Sequence, residues 1–170
     1  QLSIHHTATH IINGAARKVL GEHVWQAGAQ KSIDEAHLDI THYTNITDEE
    51  ASRIEDIANE IVRKNIKVEI FNLPRFEAER KYGYRLYQGG VVPGKEIRVV
   101  KIGEHDVEAC GGTHVLNTGE IGFIKVIKVE HIQDGIERIV FTAGKAALKR
   151  VRETFEIIKN ISKQINVPSE

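Results

Sequence analysis

The sequence has a single cysteine, no methionine and no long apolar run. A lone Cys110 excludes an internal disulfide and fits a reducing compartment such as the cytoplasm. No stretch approaches the ~20 apolar residues of a membrane span, and no basic leader precedes an apolar segment, so no membrane partner is expected. The missing methionine suggests a piece of a longer protein.

The chain also lacks an excess of positive charge. Its 23 basic and 24 acidic residues give a net charge of −1, with 41% hydrophobic and 28% charged residues overall. This composition is typical of a soluble globular domain. It argues against a domain that binds nucleic acid through bulk positive charge, because such domains are usually strongly basic.

Helical patterns occur at both ends of the chain, with runs of strand patterns between them. Apolar residues at helical spacing predict a first helix over 3–20 and a last helix over 143–164. Thr47 and Glu50 form a capping-box signature that begins another helix. These elements predict an α+β fold, with an antiparallel sheet flanked by helices.

Shorter segments are assigned by alternation, glycine and proline. They predict a hairpin at 23–40, strands at 67–71, 96–102 and 105–110, a loop at 85–95 and a long hairpin at 119–141. The last helix extends beyond what the core needs. We therefore divide the chain into a domain at 1–145 and a C-terminal helix at 146–170 that leads toward a further domain.

Two short motifs predict a metal site. "HHTATH" places His6 and His10 four residues apart, so a helix would project both imidazoles from one face. "CGGTH" places Cys110 and His114 four residues apart, with two glycines that allow a tight loop. Three imidazoles and a thiolate form a ligand set that zinc favours over calcium or magnesium. We predict Zn²⁺ at these four residues.

Other histidines fit this site less well. His5 would point ~100° around the helix from His6, which indicates a supporting or solvent-facing position. Five further histidines have no partner at ligand spacing: His23, His37, His42, His105 and His131. A zinc metalloprotease would carry a glutamate between its paired histidines as general base, but Thr7 stands there, which argues against a protease.

The motifs together resemble the editing domain of alanyl-tRNA synthetases, and the archaeal form most of all. The resemblance rests on "HHTATHII", "HVWQAGAQ", "AHLDITHY", "EIRVVKI", "VEACGGTHV", "TGEIGFIKV" and "GIERIVFTAG", in that order. The free-standing AlaX editing proteins and the editing domain of threonyl-tRNA synthetases are similar. The threonyl domain typically lacks "CGGTH" in this form.

The resemblance implies a zinc-dependent deacylase with the fold shared by threonyl and alanyl editing domains. Its substrates would be Ser-tRNA(Ala) and Gly-tRNA(Ala), and its partners the acceptor end of tRNA(Ala) and the remaining domains of a parent synthetase. The family's glutamine in "HVxQxG" falls on Gln26, a substrate contact. Thr7 and Thr9 would lie beside the metal, and we take all three as candidate catalytic residues.

The role of the zinc is left open by the sequence. It could activate water or only position the aminoacyl adenosine, and four ligands would also suit a structural ion. The chain could act within a synthetase, in trans as an AlaX-type protein, or as a tRNA-binding module with structural zinc. Its near-neutral charge predicts that it contacts mainly the end of the tRNA.

Selectivity requires a site that recognises the serine hydroxyl, because alanine must be spared. Buried groups that hydrogen-bond this hydroxyl are left unpaired when alanine binds, which can discriminate by ~10⁴ or more. Gln26, Thr7 and Thr9 have suitable side chains. In the glycine-rich loop, Arg85 and backbone amides are candidates for phosphate contacts, and Tyr87 for base stacking.

Overall fold

The computed structural model describes residues 1–165, which form an α+β fold and confirm the predicted class. The four α-helices are α1 (Leu2–Leu20), α2 (Asp48–Arg63), α3 (Arg75–Tyr82) and α4 (Gly144–Ile165). The strands are β1 (Gln26–Lys31), β2 (Ala36–Thr41), β3 (Val68–Pro74), β4 (Glu96–Ile102), β5 (Asp106–Ala109), β6 (Ile124–Gln133) and β7 (Ile136–Ala143). Short 3-10 turns lie at Tyr84–Leu86 and Thr118–Ile121.

The strands form two antiparallel sheets where the sequence predicted one. The larger sheet has the order β1-β2-β7-β6 and the smaller β3-β4-β5. The smaller sheet has its own apolar cluster of Ala78, Leu86, Tyr87, Ile97 and Val99. Strand patterns predict strands but not partners, because pairing depends on contacts between distant segments.

Helix α1 lies at the centre of the molecule and is buried on most of its surface. Ala8, Ile11, Ile12 and Ala15 are fully buried in the main core. This face packs against α2 and the larger sheet, while the helix also contacts β1 and β5. Both β1 and β5 are edge strands of their sheets. The helix therefore joins the edges of the two sheets, and the polar residues of α1 lie along that junction.

Helix α4 packs against the sheet only near its start. Ala147 is its one buried residue within the described chain, whereas Leu148, Phe155 and Ile158 are exposed. The proposed C-terminal segment 146–170 begins inside this helix, and its residues 166–170 lie outside the described residues. None of the described helices combines the length and apolar character that crossing a membrane requires.

The capping box predicted from the sequence is present at the start of α2. The Thr47 hydroxyl accepts a hydrogen bond from the Glu50 amide at 3.2 Å, and the Glu50 carboxylate accepts one from the Thr47 amide at 2.9 Å. We predict that Thr47→Ala lowers the free energy of unfolding by about 1 kcal/mol, because it leaves a helix N–H without its acceptor. Ser52→Ala, on the exposed face of the same helix, should cause no loss. Urea denaturation of both variants gives the comparison, and equal stabilities would contradict the prediction.

Candidate functional site

The polar residues of α1 and β5 face each other. On α1 they recur at helical spacing, three or four residues apart, so they share one face. On β5 and its first following residue they recur at every second position, so they share one face of the strand. The helix contributes His6, His10, Asn13 and Arg17, and the strand contributes Asp106, Glu108 and Cys110.

The four predicted zinc ligands come together at one end of this junction. The Cys110 Sγ atom lies 3.4 Å from His6 Nε2 and 3.4 Å from His114 Nε2. One nitrogen of His10 completes the cluster, and all four ligand atoms lie within 4.8 Å of one another. Zn–N and Zn–S bonds of ~2.1 and ~2.3 Å place tetrahedral ligands ~3.4–3.7 Å apart, so the cluster fits an ion of this size.

The electrostatics of the cluster favour a thiolate. Burial raises the pKa of Cys110, but the imidazoles of His10, His114 and His6 outweigh it and lower the pKa to about 3. A thiolate is the form of cysteine that binds metals. The donor set of one thiolate and three imidazoles is therefore suited to zinc.

Neighbouring groups hold two of the ligands in place. The Thr7 hydroxyl lies 3.2 Å from His114 Nδ1, donates a hydrogen bond to the Ser3 carbonyl at 2.9 Å and accepts one from the Val115 amide at 3.2 Å. Any side chain at Gly112 would overlap the His6 ring. Thr7 thus lies beside the cluster, as the resemblance implies, with its hydroxyl already engaged by the protein.

His10 lies between two buried carboxylates. Its Nδ1 is 3.3 Å from Asp106 Oδ2, and its Nε2 is 3.3 Å from Glu108 Oε2. Burial lowers the pKa of His10, but Glu108 and Asp106 outweigh it and raise the pKa well above the usual value. This part of the molecule therefore stabilises positive charge.

Glu108 is the functional candidate that the sequence analysis missed. Its side chain is 6% exposed, and its Oε1 accepts a hydrogen bond from Asn13 Nδ2 at 2.8 Å. Burial and the nearby Asp106 raise the pKa of Glu108 to about 7, against the opposing effect of His10. The acid comes from β5 and not from the histidine motif of α1. Alternation in "DVEAC" was the available signal, because it places Glu108 on the same face as Cys110.

Gln26 begins β1, and Gln88 links it to α1. The Gln88 Oε1 atom accepts hydrogen bonds from the Gln26 amide at 3.0 Å and from Asn13 Nδ2 at 3.2 Å. Gly89 approaches the Gln26 side chain so closely that a methyl group at position 89 would lie 2.9 Å from Gln26 Nε2. Gln26 is thus linked to Glu108 through Gln88 and Asn13, and its role in catalysis stays a prediction.

Two other predicted contacts are already occupied within the protein. The Thr9 hydroxyl donates to the His5 carbonyl at 2.8 Å, and its side chain is buried. Tyr87 is 7% exposed and its hydroxyl contacts Glu79 and Arg75, so its ring is not available for base stacking. Thr9 directly precedes His10 in α1, and its catalytic role stays a prediction.

His5 is buried and does not face solvent. Its Nδ1 donates to the Ser32 carbonyl at 2.8 Å, and its Nε2 accepts from the Ala143 amide at 3.1 Å. Burial lowers the pKa of His5, which favours the neutral form that these two bonds require. His5 therefore ties α1 to the ends of β1 and β7, and this contact between distant segments was not visible in the sequence.

Residues 97–140 match the family described as the threonyl and alanyl tRNA synthetase second additional domain. This match spans β4 to β7 and includes Cys110 and His114 of the cluster.

The full chain is similar to named alanine–tRNA ligases. It is 57% identical over 98% of its length to the enzyme of Thermococcus kodakarensis and 56% identical over its whole length to that of Methanopyrus kandleri. The chain spans 18–19% of the length of these curated relatives. The chain is thus similar to one part of archaeal alanine–tRNA ligases and contains a match to the second additional domain, which confirms the resemblance.

Two adjacent glycines provide a matched test of the cluster. A methyl group at Gly112 would overlap the His6 ring, whereas a methyl group at Gly111 would meet no atom within 4 Å. We predict that Gly112→Ala lowers the affinity for Zn²⁺ by at least about tenfold, because a displaced ligand loses its bond to the shared ion. Gly111→Ala should bind as wild type. Competition with a chromophoric chelator measures both, and equal affinities would show that His6 does not belong to the metal site.

Proposed function

We propose that this chain is a zinc-dependent deacylase that hydrolyses the ester of Ser-tRNA(Ala) and Gly-tRNA(Ala). The observation that carries the proposal is the convergence of His6, His10, Cys110 and His114 beside the buried carboxyl group of Glu108. The similarity to alanine–tRNA ligases supports tRNA(Ala) as the substrate class and a cytoplasmic location. The acceptor end of the tRNA and the other domains of a synthetase would be its partners.

The four residues of the cluster would hold the zinc ion. When bound, zinc supplies a Lewis acid that can polarise a carbonyl oxygen or lower the pKa of water. The thiolate of Cys110 and the carboxylates around His10 provide the negative charge that a divalent cation needs. Thr7 and Gly112 would keep the imidazoles of His114 and His6 in position.

Glu108 is placed to move the proton of the reaction. Ester hydrolysis adds water to the carbonyl carbon and releases the ribose oxygen as an alcohol. Glu108 would accept the proton of the attacking water and return it to the leaving ribose oxygen. Burial raises the pKa of the Glu108 carboxyl above its usual value, which makes the group a better proton acceptor than an exposed carboxylate. Asn13 fixes one carboxyl oxygen through a 2.8 Å hydrogen bond.

Gln26 is the best-placed candidate for recognising the aminoacyl group. The backbone amide of Gln26 donates to Gln88, which is linked through Asn13 to Glu108. The side chain of Gln26 lies against Gly89. Because the hydroxyls of Thr7 and Thr9 are engaged by the protein, Gln26 has more freedom to bind the serine hydroxyl.

A structural zinc in a tRNA-binding module is the second candidate, since four protein ligands are typical of structural sites. Two observations favour catalysis: His6, Cys110 and His114 are only partly buried, and a buried carboxyl group stands beside the cluster. Removal of zinc by a chelator separates the two functions. Loss of deacylation with retention of the folded state supports catalysis, and unfolding on zinc removal supports the structural role.

Two substitutions should separate metal binding from recognition. We predict that Cys110→Ala lowers both zinc content and hydrolysis of Ser-tRNA(Ala), because a charged ligand is lost. Gln26→Ala should leave zinc content normal and lower the hydrolysis rate by roughly tenfold, the effect of one hydrogen bond of ~0.5–1.5 kcal/mol. Elemental analysis and a single-turnover deacylation assay provide both readouts. Unchanged serine hydrolysis in Gln26→Ala would remove Gln26 from the site.

A third substitution tests the proton carrier. We predict that Glu108→Gln lowers the single-turnover rate by ~10²–10⁴-fold while zinc is retained, because the amide keeps the shape but cannot accept the proton. Glu137→Gln is the matched control, since Glu137 is also buried but contacts His131 at 2.6 Å in the larger sheet. If the two variants hydrolyse Ser-tRNA(Ala) equally well, Glu108 is not the proton carrier.

A further inference from the structure

Asp106 is a buried carboxylate to which the proposed reaction assigns no role beyond its negative charge. Its side chain is 1% exposed, and its Oδ2 atom lies 3.3 Å from Nδ1 of His10. Among the described residues, neither Asp106 oxygen nor His10 Nδ1 has a hydrogen-bond partner that meets strict geometry. Asp106 Oδ2 is therefore an acceptor within reach of a proton on this nitrogen.

Asp106 and Arg17 do not have the close hydrogen-bonded geometry of a stabilising buried ion pair. Arg17 Nη1 lies 3.7 Å from Asp106 Oδ1, which is beyond hydrogen-bond distance, and two other nitrogens of Arg17 lack partners among the described residues. A buried pair with such geometry is not an efficient source of stability, because desolvation offsets the attraction. Its position directly against a predicted ligand suggests another role.

The two carboxylates around His10 lie beside different ring nitrogens. Glu108 lies at Nε2 and Asp106 lies at Nδ1. Metal-binding histidines almost always donate the proton of their other nitrogen to a carboxylate, carbonyl or water, which fixes the tautomer and the ring orientation. With Nδ1 directed at Asp106, Nε2 is the nitrogen left for the cluster.

We propose that Asp106 is a positioning residue that holds the proton of His10 on Nδ1 and directs Nε2 to the metal. This inference rests on the zinc site proposed above. Arg17 brings a positive charge to within 3.7 Å of Asp106 Oδ1, while His10 Nδ1 lies beside the other oxygen, Oδ2. The alternating positions of Asp106, Glu108 and Cys110 thus contribute, in order, an orienting group, a proton carrier and a ligand.

The test measures zinc affinity and the tautomer of His10, neither of which requires substrate. Asp106→Asn should lower zinc affinity by roughly tenfold, because a neutral amide replaces the charged acceptor. Loss of a group that supports a metal ligand typically has an effect of this size or larger. In the zinc-bound wild type, long-range ¹H–¹⁵N NMR should show the His10 proton on Nδ1. A proton on Nε2 would overturn the proposal.

Two controls separate positioning from general damage. Asp39→Asn removes a carboxylate that binds Arg138 at 2.7 and 2.9 Å in the larger sheet, and zinc affinity should not change. Arg17→Gln disrupts the same buried pair but leaves the carboxylate against His10, so its zinc affinity should stay near that of the wild type.

The outcomes distinguish this inference from the proposed function. Wild-type zinc affinity in Asp106→Asn, or an equal loss in Arg17→Gln, would overturn the positioning role while the zinc site stands. A wild-type protein that binds no zinc would overturn both.

Discussion

The site depends on the register between helix α1 and strand β5. Three to four residues of a helix rise ~4.5–6 Å, and two residues of a strand rise ~6.6 Å, so successive polar positions on the two elements stay roughly level. This match sets His6 against Cys110, His10 against Glu108 and Asp106, and Arg17 against Asp106. A slip of one residue along β5 would turn all its polar side chains away from the helix.

Apolar packing on both sides fixes that register. The buried isoleucines Ile11 and Ile12 hold α1 in the main core, while Val99 and Ile97 hold β4, the partner of β5, in the smaller one. At the far end of the junction, His105 donates to the Ile11 carbonyl at 2.8 Å. Gly14 lies so close to His105 that a methyl group there would be only 2.7 Å from its Nε2. The positions of the four predicted ligands are therefore a consequence of how the two cores meet.

The sequence predicted the parts of this site that depend on local spacing. Paired ligands four residues apart keep their relation in any helix or tight turn, so His6, His10, Cys110 and His114 could be found without the fold. Local alternation places Glu108 and Asp106 on the same strand face as Cys110, but only the fold shows that both acids are buried against His10 of α1. The same limit applies to Tyr87. The sequence suggested that this loop residue could stack on a base, whereas the fold buries it in the apolar cluster of the smaller sheet.

Burial of so much charge beside an apolar core has a cost that stability alone does not explain. Two carboxylates, an arginine and an imidazole lie within one junction, and several of their atoms lack hydrogen-bond partners among the described residues. Natural structures tolerate such departures mainly where function requires them. A divalent cation bound at the cluster of His6, His10, Cys110 and His114 would balance the negative charge of these carboxylates and of the thiolate. The part of the described interior in which several charged groups lack hydrogen-bond partners is therefore also the part best prepared for a metal ion.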